Sequence, residues 1–255
     1  MNRGYSVTQR IKNVKQPRGG YINPRELQAD SLGPGIEALN SAENISPNLV
    51  GLAVDYLTRF MSGASASEAF EISLLGASNI GEDALAAKLL AEVKGLDDIS
   101  ITNAIKLTGF DVGYRAGLGY KPVSEIKPDQ ATIQNVRTMV ERSLHFLELY
   151  GPKLLDGFTF EGGYTDTVNK GDGDFTTADT LWDFKVSKAK VKKEHTLQLL
   201  MYWRMGLHSA HPELQSIKYL GIYNPRLNQV YRIAVTDIPE DVIREVEEKV
   251  IGYRV

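Results

Sequence analysis

The sequence contains no cysteine. This absence excludes disulfide bonds, thiolate zinc sites, iron–sulfur clusters and a cysteine nucleophile. It also has no run of the ~18 consecutive apolar residues that a membrane-spanning helix needs, and residues 1–15 lack the apolar segment of a signal peptide. We therefore expect a cytoplasmic protein with no membrane partner.

The sequence also lacks a large excess of either charge, because its 29 basic and 32 acidic residues give a formal net charge of −3. This balance argues against a generally basic protein that coats nucleic acid, although it is compatible with a local basic groove. A hydrophobic content of 42% over 255 residues is typical of a globular protein with a sizeable core.

Three regions differ in pattern. Residues 1–46 are rich in glycine and proline without a sustained period, which predicts an irregular arm. Residues 47–150 show helical periodicity, beginning with Ser46 as N-cap and Pro47 at the first helical position. Further helices are predicted at about 66–77, 82–94, 99–116 and after Pro128.

Residues 151–255 alternate between strand and helix patterns. Strands are predicted over 158–168, 172–177, 180–186, 217–223 and 229–235, with a helix over about 194–208 and a closing helix from residue 239. The predicted fold class is α/β: a mixed β-sheet with flanking helices, preceded by a mainly helical region.

Two carboxylates and a lysine form the most informative pattern. Gly171-x-x-Asp174 is followed nine positions later by Asp183-Phe184-Lys185. Because side chains alternate along a strand, Asp183 and Lys185 share one face and Phe184 points away. If Asp174 ends the neighbouring strand on that face, two carboxylates converge, and such oxygen ligands suit Mg²⁺ or Mn²⁺.

The next predicted helix carries Gln198 and Tyr202, which stand four positions apart and therefore lie on one helical face. Together with the preceding pattern, Gly171-x-x-Asp174, Asp183-x-Lys185 and Gln198-x-x-x-Tyr202 resemble the RecB-like branch of the PD-(D/E)XK nuclease superfamily. The resemblance covers roughly residues 157–235, about a third of the chain.

The resemblance implies a restriction-endonuclease-like core and metal-dependent cleavage of DNA, in recombination, repair, phage biology or defence. It implies that Asp174, Asp183 and the backbone carbonyl of Phe184 bind Mg²⁺ or Mn²⁺ and that Lys185 serves the attacking water. Gln198 and Tyr202 receive supporting catalytic roles on this analogy. Many relatives add an acid from an early helix, for which Asp55, Glu68 and Glu71 are candidates without a motif.

Other interpretations remain open. The chain could keep the nuclease fold without activity and bind nucleic acid or a protein partner, with the helical region as its surface. It could instead hold a structural divalent ion. Asp172 is interpreted as a turn residue, and His195 as a surface residue outside the catalytic set. The run of lysines over 185–193 could guide a phosphate backbone or form a solvated loop.

Overall fold

The computed structural model describes residues 4–33, 38–115 and 121–254. The predicted arm, the predicted helix over 99–116 and the predicted core each extend into residues outside these ranges. The α-helices are α1 (Val7–Asn13), α2 (Pro47–Met61), α3 (Ala66–Ala69), α4 (Glu71–Asn79), α5 (Asp83–Ala91), α6 (Asp98–Thr108), α7 (Asp111–Arg115), α8 (Gln130–Tyr150), α9 (Lys193–Leu207) and α10 (Glu240–Glu245), which a π-helical segment continues (Val246–Ile251).

The strands are short. They are β1 (Tyr5–Ser6), β2 (Gln28–Ser31), β3 (Leu155–Thr159), β4 (Val168–Lys170), β5 (Asp172–Thr176), β6 (Thr180–Phe184), β7 (Tyr219–Asn224) and β8 (Gln229–Ala234). Single turns of 3₁₀-helix occupy Pro24–Glu26, Val123–Glu125, Pro212–Ser216 and Val235–Asp237.

Six of these strands form one mixed sheet in the order β2-β8-β7-β6-β5-β3. Strands β6 and β7 are parallel, and the other neighbours in this sheet are antiparallel. A parallel pair needs a crossover connection, which α9 supplies between β6 and β7. Strands β1 and β4 form a separate parallel pair. The mixed α/β fold with a six-stranded sheet and flanking helices confirms the predicted fold class at this level.

The two faces of the sheet carry different side chains. Leu181 and Leu220, which are register partners on β6 and β7, belong to the apolar core that includes Leu197 and Leu200 of α9. On the opposite face, the ring of Trp182 meets the ring of Tyr150 edge-on at 5.1 Å. Helix α9 therefore covers the face to which Leu181 points, and by alternation Asp183 points to the same face.

The described residues fall into two compact units. The sheet unit comprises the residues up to Leu32, Leu147–Asn224 and those from Gln229 onward. The helical unit comprises Gly33–Phe146 and the turn Pro225–Asn228, so the division falls inside α8. These bounds differ from the predicted divisions at residues 46 and 150, because the N-terminal segment belongs to the sheet unit.

The first helix of the helical unit begins as the sequence predicts, with Ser46 capping α2 and Pro47 at its first position. Its core contains a buried carboxylate, Asp111, which accepts hydrogen bonds from the hydroxyls of Tyr56 and Ser73, each at 2.6 Å. The predicted single helix over 99–116 is interrupted, since α6 ends at Thr108 and α7 begins at Asp111.

The predicted irregular arm contains regular elements that the sequence pattern did not indicate, namely α1, β2 and the short strand β1. Ser6 caps α1 in a reciprocal arrangement with Gln9, and Val7 and Ile11 are buried in the core that contains α9. A helix of seven residues is marginal in isolation, and packing against α9 stabilises it.

The predicted single strand over 158–168 is wrong. Strand β3 ends at Thr159 and β4 begins at Val168. Between them, Gly162 adopts a φ of +91°, and a Cβ at Gly163 would lie 2.1 Å from the carbonyl oxygen of Met205. The chain therefore turns close against the end of α9 at a point where side chains do not fit.

Among the helices in the described part of the chain, none is both long and apolar enough to cross a membrane.

Candidate active site

The pairing of β5 with β6 brings the two predicted carboxylates together. Phe175 pairs with Trp182, and Thr176 pairs with Leu181. Continuing this antiparallel register by one residue sets Asp174 opposite Asp183, and opposite residues in such a pair share a face. The backbone N–H of Phe184 donates to Oδ2 of Asp174 at 2.6 Å, which fixes the Asp174 carboxylate against the end of β6.

Asp183 and Lys185 form an ion pair at the end of β6. Nζ of Lys185 lies 2.8 Å from Oδ1 of Asp183, and the side chains are 28% and 1% exposed respectively. Lys185 is held in turn by a hydrogen bond from its backbone N–H to the carbonyl oxygen of Tyr223, at 2.9 Å. The prediction that Asp183 and Lys185 share one face is thus matched by a direct contact.

The second oxygen of Asp183 is buried and has no hydrogen-bond partner within the described residues. Leaving a carboxylate oxygen unsatisfied away from water is costly, so such an atom indicates a missing partner. A cation or a donor group from a ligand would satisfy Oδ2 without moving the lysine from Oδ1.

The electrostatic surroundings keep Lys185 charged. Burial favours the neutral amine, but the carboxylates of Asp183 and Asp174 outweigh this effect and raise the pKa of Lys185 above its usual value. At neutral pH the side chain is therefore an ammonium ion, which can donate hydrogen bonds to a water molecule or a phosphate oxygen.

Gln198 and Tyr202 of α9 meet each other as the spacing predicts. Nε2 of Gln198 donates to the hydroxyl oxygen of Tyr202 at 2.9 Å. The Tyr202 ring is stacked on Phe160, with the ring centroids 4.9 Å apart. Burial raises the pKa of Tyr202, and the negative charges of Asp174 and Asp183 raise it further. The phenol therefore stays neutral and lies within electrostatic reach of both carboxylates.

His195 belongs to this face of α9, although sequence reasoning left it out. It stands three positions before Gln198 and seven before Tyr202, which is the spacing of one helical stripe. Burial lowers the pKa of His195, the charge of Lys185 lowers it further, and the charge of Asp183 opposes the shift. Its Nδ1 accepts the backbone N–H of Lys192 at 3.3 Å, so the neutral ring carries its proton on Nε2.

The N-terminal segment forms part of the wall beside α9. Gly171 lies between β4 and β5, and a Cβ there would lie 2.8 Å from Cγ2 of Val7, so the start of the motif runs directly against α1. The hydroxyl of Thr196 donates to the carbonyl oxygen of Ile22 at 2.8 Å. A residue with a side chain at position 171 would push α1 away.

Two of the three candidate early-helix acids have other partners in the helical unit. Asp55 pairs with Arg59 at 3.2 Å, and Glu68 accepts from the backbone N–H of Ser65 at 2.8 Å in a capping box. Glu71 lies in the first turn of α4. Asp172, in contrast, begins β5 on the same face as Asp174, two positions away, and its side chain is exposed.

Two carboxylates are a sufficient protein contribution for a hard, hydrated cation. No cluster of three or more histidine, aspartate or glutamate side chains suited to a metal occurs in residues 4–33, 38–115 and 121–254. Mg²⁺ commonly uses one or two carboxylates and completes its octahedron with water and phosphate oxygens. Asp174 and Asp183, with Oδ2 of Asp183 unsatisfied, fit such an ion.

Comparisons of the chain with family models, with curated proteins and with solved structures gave no significant match.

Proposed function

We propose that this chain is a Mg²⁺- or Mn²⁺-dependent nuclease of the PD-(D/E)XK kind that hydrolyses phosphodiester bonds of DNA. The observation that carries the proposal is the cluster of Asp174, Asp183 and Lys185, in which Oδ2 of Asp183 is buried and has no hydrogen-bond partner among the residues that the structure describes. At the level of the fold, the mixed sheet with α9 crossing from β6 to β7 supports a restriction-endonuclease-like core.

Each residue has a role that follows from its surroundings. Asp174 and Asp183 supply the carboxylate oxygens, and the backbone carbonyl of Phe184 is the third protein ligand that the motif suggests. A divalent ion bound there would polarise the scissile phosphate and lower the pKa of a water molecule. The ammonium of Lys185 orients that water and balances the charge that develops on the phosphate.

Gln198 and Tyr202 have a supporting role beside these groups. Their mutual hydrogen bond fixes both side chains, and the neutral hydroxyl of Tyr202 offers a donor toward the carboxylates or the substrate. Residues that orient ligands in this way matter because an error of about 1 Å in position can cost about 100-fold in rate.

The first test is cleavage of single-stranded DNA, duplex DNA and RNA with Mg²⁺ or Mn²⁺, comparing the unaltered protein with Asp183→Asn and Lys185→Ala. We expect DNA cleavage by the unaltered protein and a loss of about 10²–10⁴-fold in Lys185→Ala, the range found when a group that serves proton transfer is removed. Asp183→Asn removes a proposed metal ligand, and we expect it to lose cleavage as well. Lys218→Ala is the matched control, because this exposed lysine precedes β7 at the end of the sheet away from Lys185. Circular dichroism and urea unfolding confirm that each variant is folded.

Three outcomes would overturn the proposal. DNA binding without cleavage under either metal would favour the inactive, nucleic-acid-binding alternative. Thermal stabilisation by Ca²⁺ as strong as by Mn²⁺, again without cleavage, would favour a structural ion site. Unchanged activity in Asp183→Asn would show that any nuclease activity does not depend on this cluster.

A further inference from the structure

A group of basic side chains collects beside the candidate site from two distant parts of the sequence. A Cβ at Gly20 would lie 2.7 Å from Cβ of Lys193, and Thr196 bonds to the carbonyl of Ile22. Gly19 and Gly20 have φ values of +93° and +99°, so the loop turns sharply where it meets the start of α9. Arg18 stands two positions before Gly20 in this loop, and Lys190 and Lys192 stand just before Lys193, the first residue of α9.

We define the basic rim as Arg18, Lys190, Lys192 and Lys193. The first three side chains are exposed and Lys193 is partly exposed. Within the described part of the chain, no ion pair engages any of the four. Residues 16–22 and 190–194 contain these four basic residues and one acid, Glu194, in a protein whose net charge is −3.

The rim is continuous with the candidate site. His195 follows the rim on α9 and is within electrostatic reach of Lys185 and Asp183. Gln198 and Tyr202 continue the same stripe one and two turns further along the helix. A strand whose phosphate lies at Asp174 and Asp183 can therefore extend across the start of α9 to the rim.

We infer that the basic rim binds the phosphate backbone of the DNA strand on one side of the cleaved bond, independently of base sequence. This inference rests on the proposed function, because it assigns the rim to the substrate of that site. Repeated, evenly spaced phosphates are the ligand that a row of exposed, unneutralised lysine and arginine side chains fits. Contacts from lysine and arginine to phosphate oxygens carry no information about the bases, so the rim would set the position of the strand.

The test is the salt dependence of binding. A fluorescein-labelled oligothymidine and a duplex of the same length are titrated with protein in EDTA, which prevents cleavage, at several NaCl concentrations. Each lost phosphate contact reduces the slope of log K against log [salt] by about 0.7 for single strands and about 0.9 for duplex DNA. We expect this reduction, and about fivefold weaker binding of single-stranded DNA near 0.1 M salt, in each of Arg18→Ala, Lys190→Ala and Lys192→Ala.

Two controls isolate the charge. Lys218→Ala removes one exposed positive charge away from the rim and should leave the slope unchanged. Arg18→Lys keeps the charge at the rim and should restore the slope of the unaltered protein, which a purely structural role of Arg18 would not predict.

The outcomes separate this inference from the proposed function. Cleavage by the unaltered protein together with unchanged slopes in all three rim variants would overturn the inference that the rim binds DNA. The proposed nuclease function would be unaffected. Reduced slopes in the rim variants of a protein that cleaves no substrate would support DNA binding by the rim and would overturn the proposed nuclease function. No binding of either oligonucleotide would overturn the rim.

Discussion

Lys185 donates to Oδ1 of Asp183 at 2.8 Å, and the aspartate of this pair is 1% exposed. Removing the lysine would leave a buried carboxylate with neither oxygen paired to a cation. Such uncompensated charges cost about 3–5 kcal/mol when a buried pair is broken. We expect Lys185→Ala to lower the free energy of unfolding by an amount that approaches this cost. Urea denaturation without divalent metal measures the decrease.

Lys249→Ala is the matched control for this first prediction. Lys249 pairs with Glu245 at 3.2 Å, but the side chains are 68% and 41% exposed. An exposed pair of this kind contributes about 0–1 kcal/mol. Equal stability of Lys185→Ala and Lys249→Ala would contradict the view that the Asp183 carboxylate depends on its lysine.

Tyr202→Phe tests the support that α9 gives to the candidate site. The change removes the acceptor of the Gln198 amide and the hydroxyl that lies within reach of Asp174 and Asp183. Because loss of such supporting groups typically costs about 10–100-fold in activity or metal affinity, we expect a fall of that size in DNA cleavage. The fold should survive, since the ring that stacks on Phe160 is kept.

Tyr253→Phe controls for the loss of a phenol in general. The Tyr253 hydroxyl donates to the carbonyl oxygen of Gly163, and no candidate site residue contacts it. It should retain the cleavage rate of the unaltered protein. If both phenylalanine variants cleave equally well, the role of Tyr202 is confined to packing.

Gly20→Ala tests the contact between the N-terminal loop and α9. Gly19 and Gly20 both have φ values near +95°, which an alanine adopts at a cost of about 1–2 kcal/mol. Only at Gly20 would the new Cβ also clash, 2.7 Å from Cβ of Lys193, whereas at Gly19 its nearest neighbour is 3.5 Å away. We expect Gly20→Ala to be the more destabilising of the two in urea unfolding. A smaller effect than that of Gly19→Ala would argue against this contact.

The local patterns on single elements were predictable from the sequence. Ser46 and Pro47 predict the start of α2 because helix capping depends on residues that are adjacent in sequence. The same holds for the shared face of Asp183 and Lys185, and for the bond between Gln198 and Tyr202, since strand and helix periods fix both.

Features that depend on distant partners were not predictable. Helix α1 is short, and the residues that stabilise it lie on α9, about 190 positions later. His195 comes near Lys185 only when the sheet and α9 pack together, so its place beside the candidate site depends on the tertiary structure. The spacing of three from Gln198 was the one signal in the sequence that could have included it.

The alkaline stability of the protein should depend on Tyr253. Burial raises the pKa of Tyr253 to about 12, with a further contribution from Glu247 and an opposing one from Arg204. An unfolded tyrosine titrates near 10. Between pH 10 and 12 the unfolded chain therefore loses this proton while the folded chain keeps it, so the free energy of unfolding falls as pH rises through this window.

Tyr253→Phe removes this term and the hydrogen bond to Gly163. The variant should be less stable at pH 8, by about 1 kcal/mol for one buried hydrogen bond. Its stability should fall less steeply between pH 10 and 12, so the difference from the unaltered protein shrinks and then reverses near pH 11, where the unfolded tyrosine is ionised and the folded one is not. The pKa of Tyr21, Tyr150, Tyr164, Tyr202 and Tyr231 is also raised, but these residues are present in both proteins and cancel in the comparison. Urea unfolding at pH 8, 10 and 11 measures the difference, and a constant value across this range would show that Tyr253 titrates alike in the folded and unfolded chains.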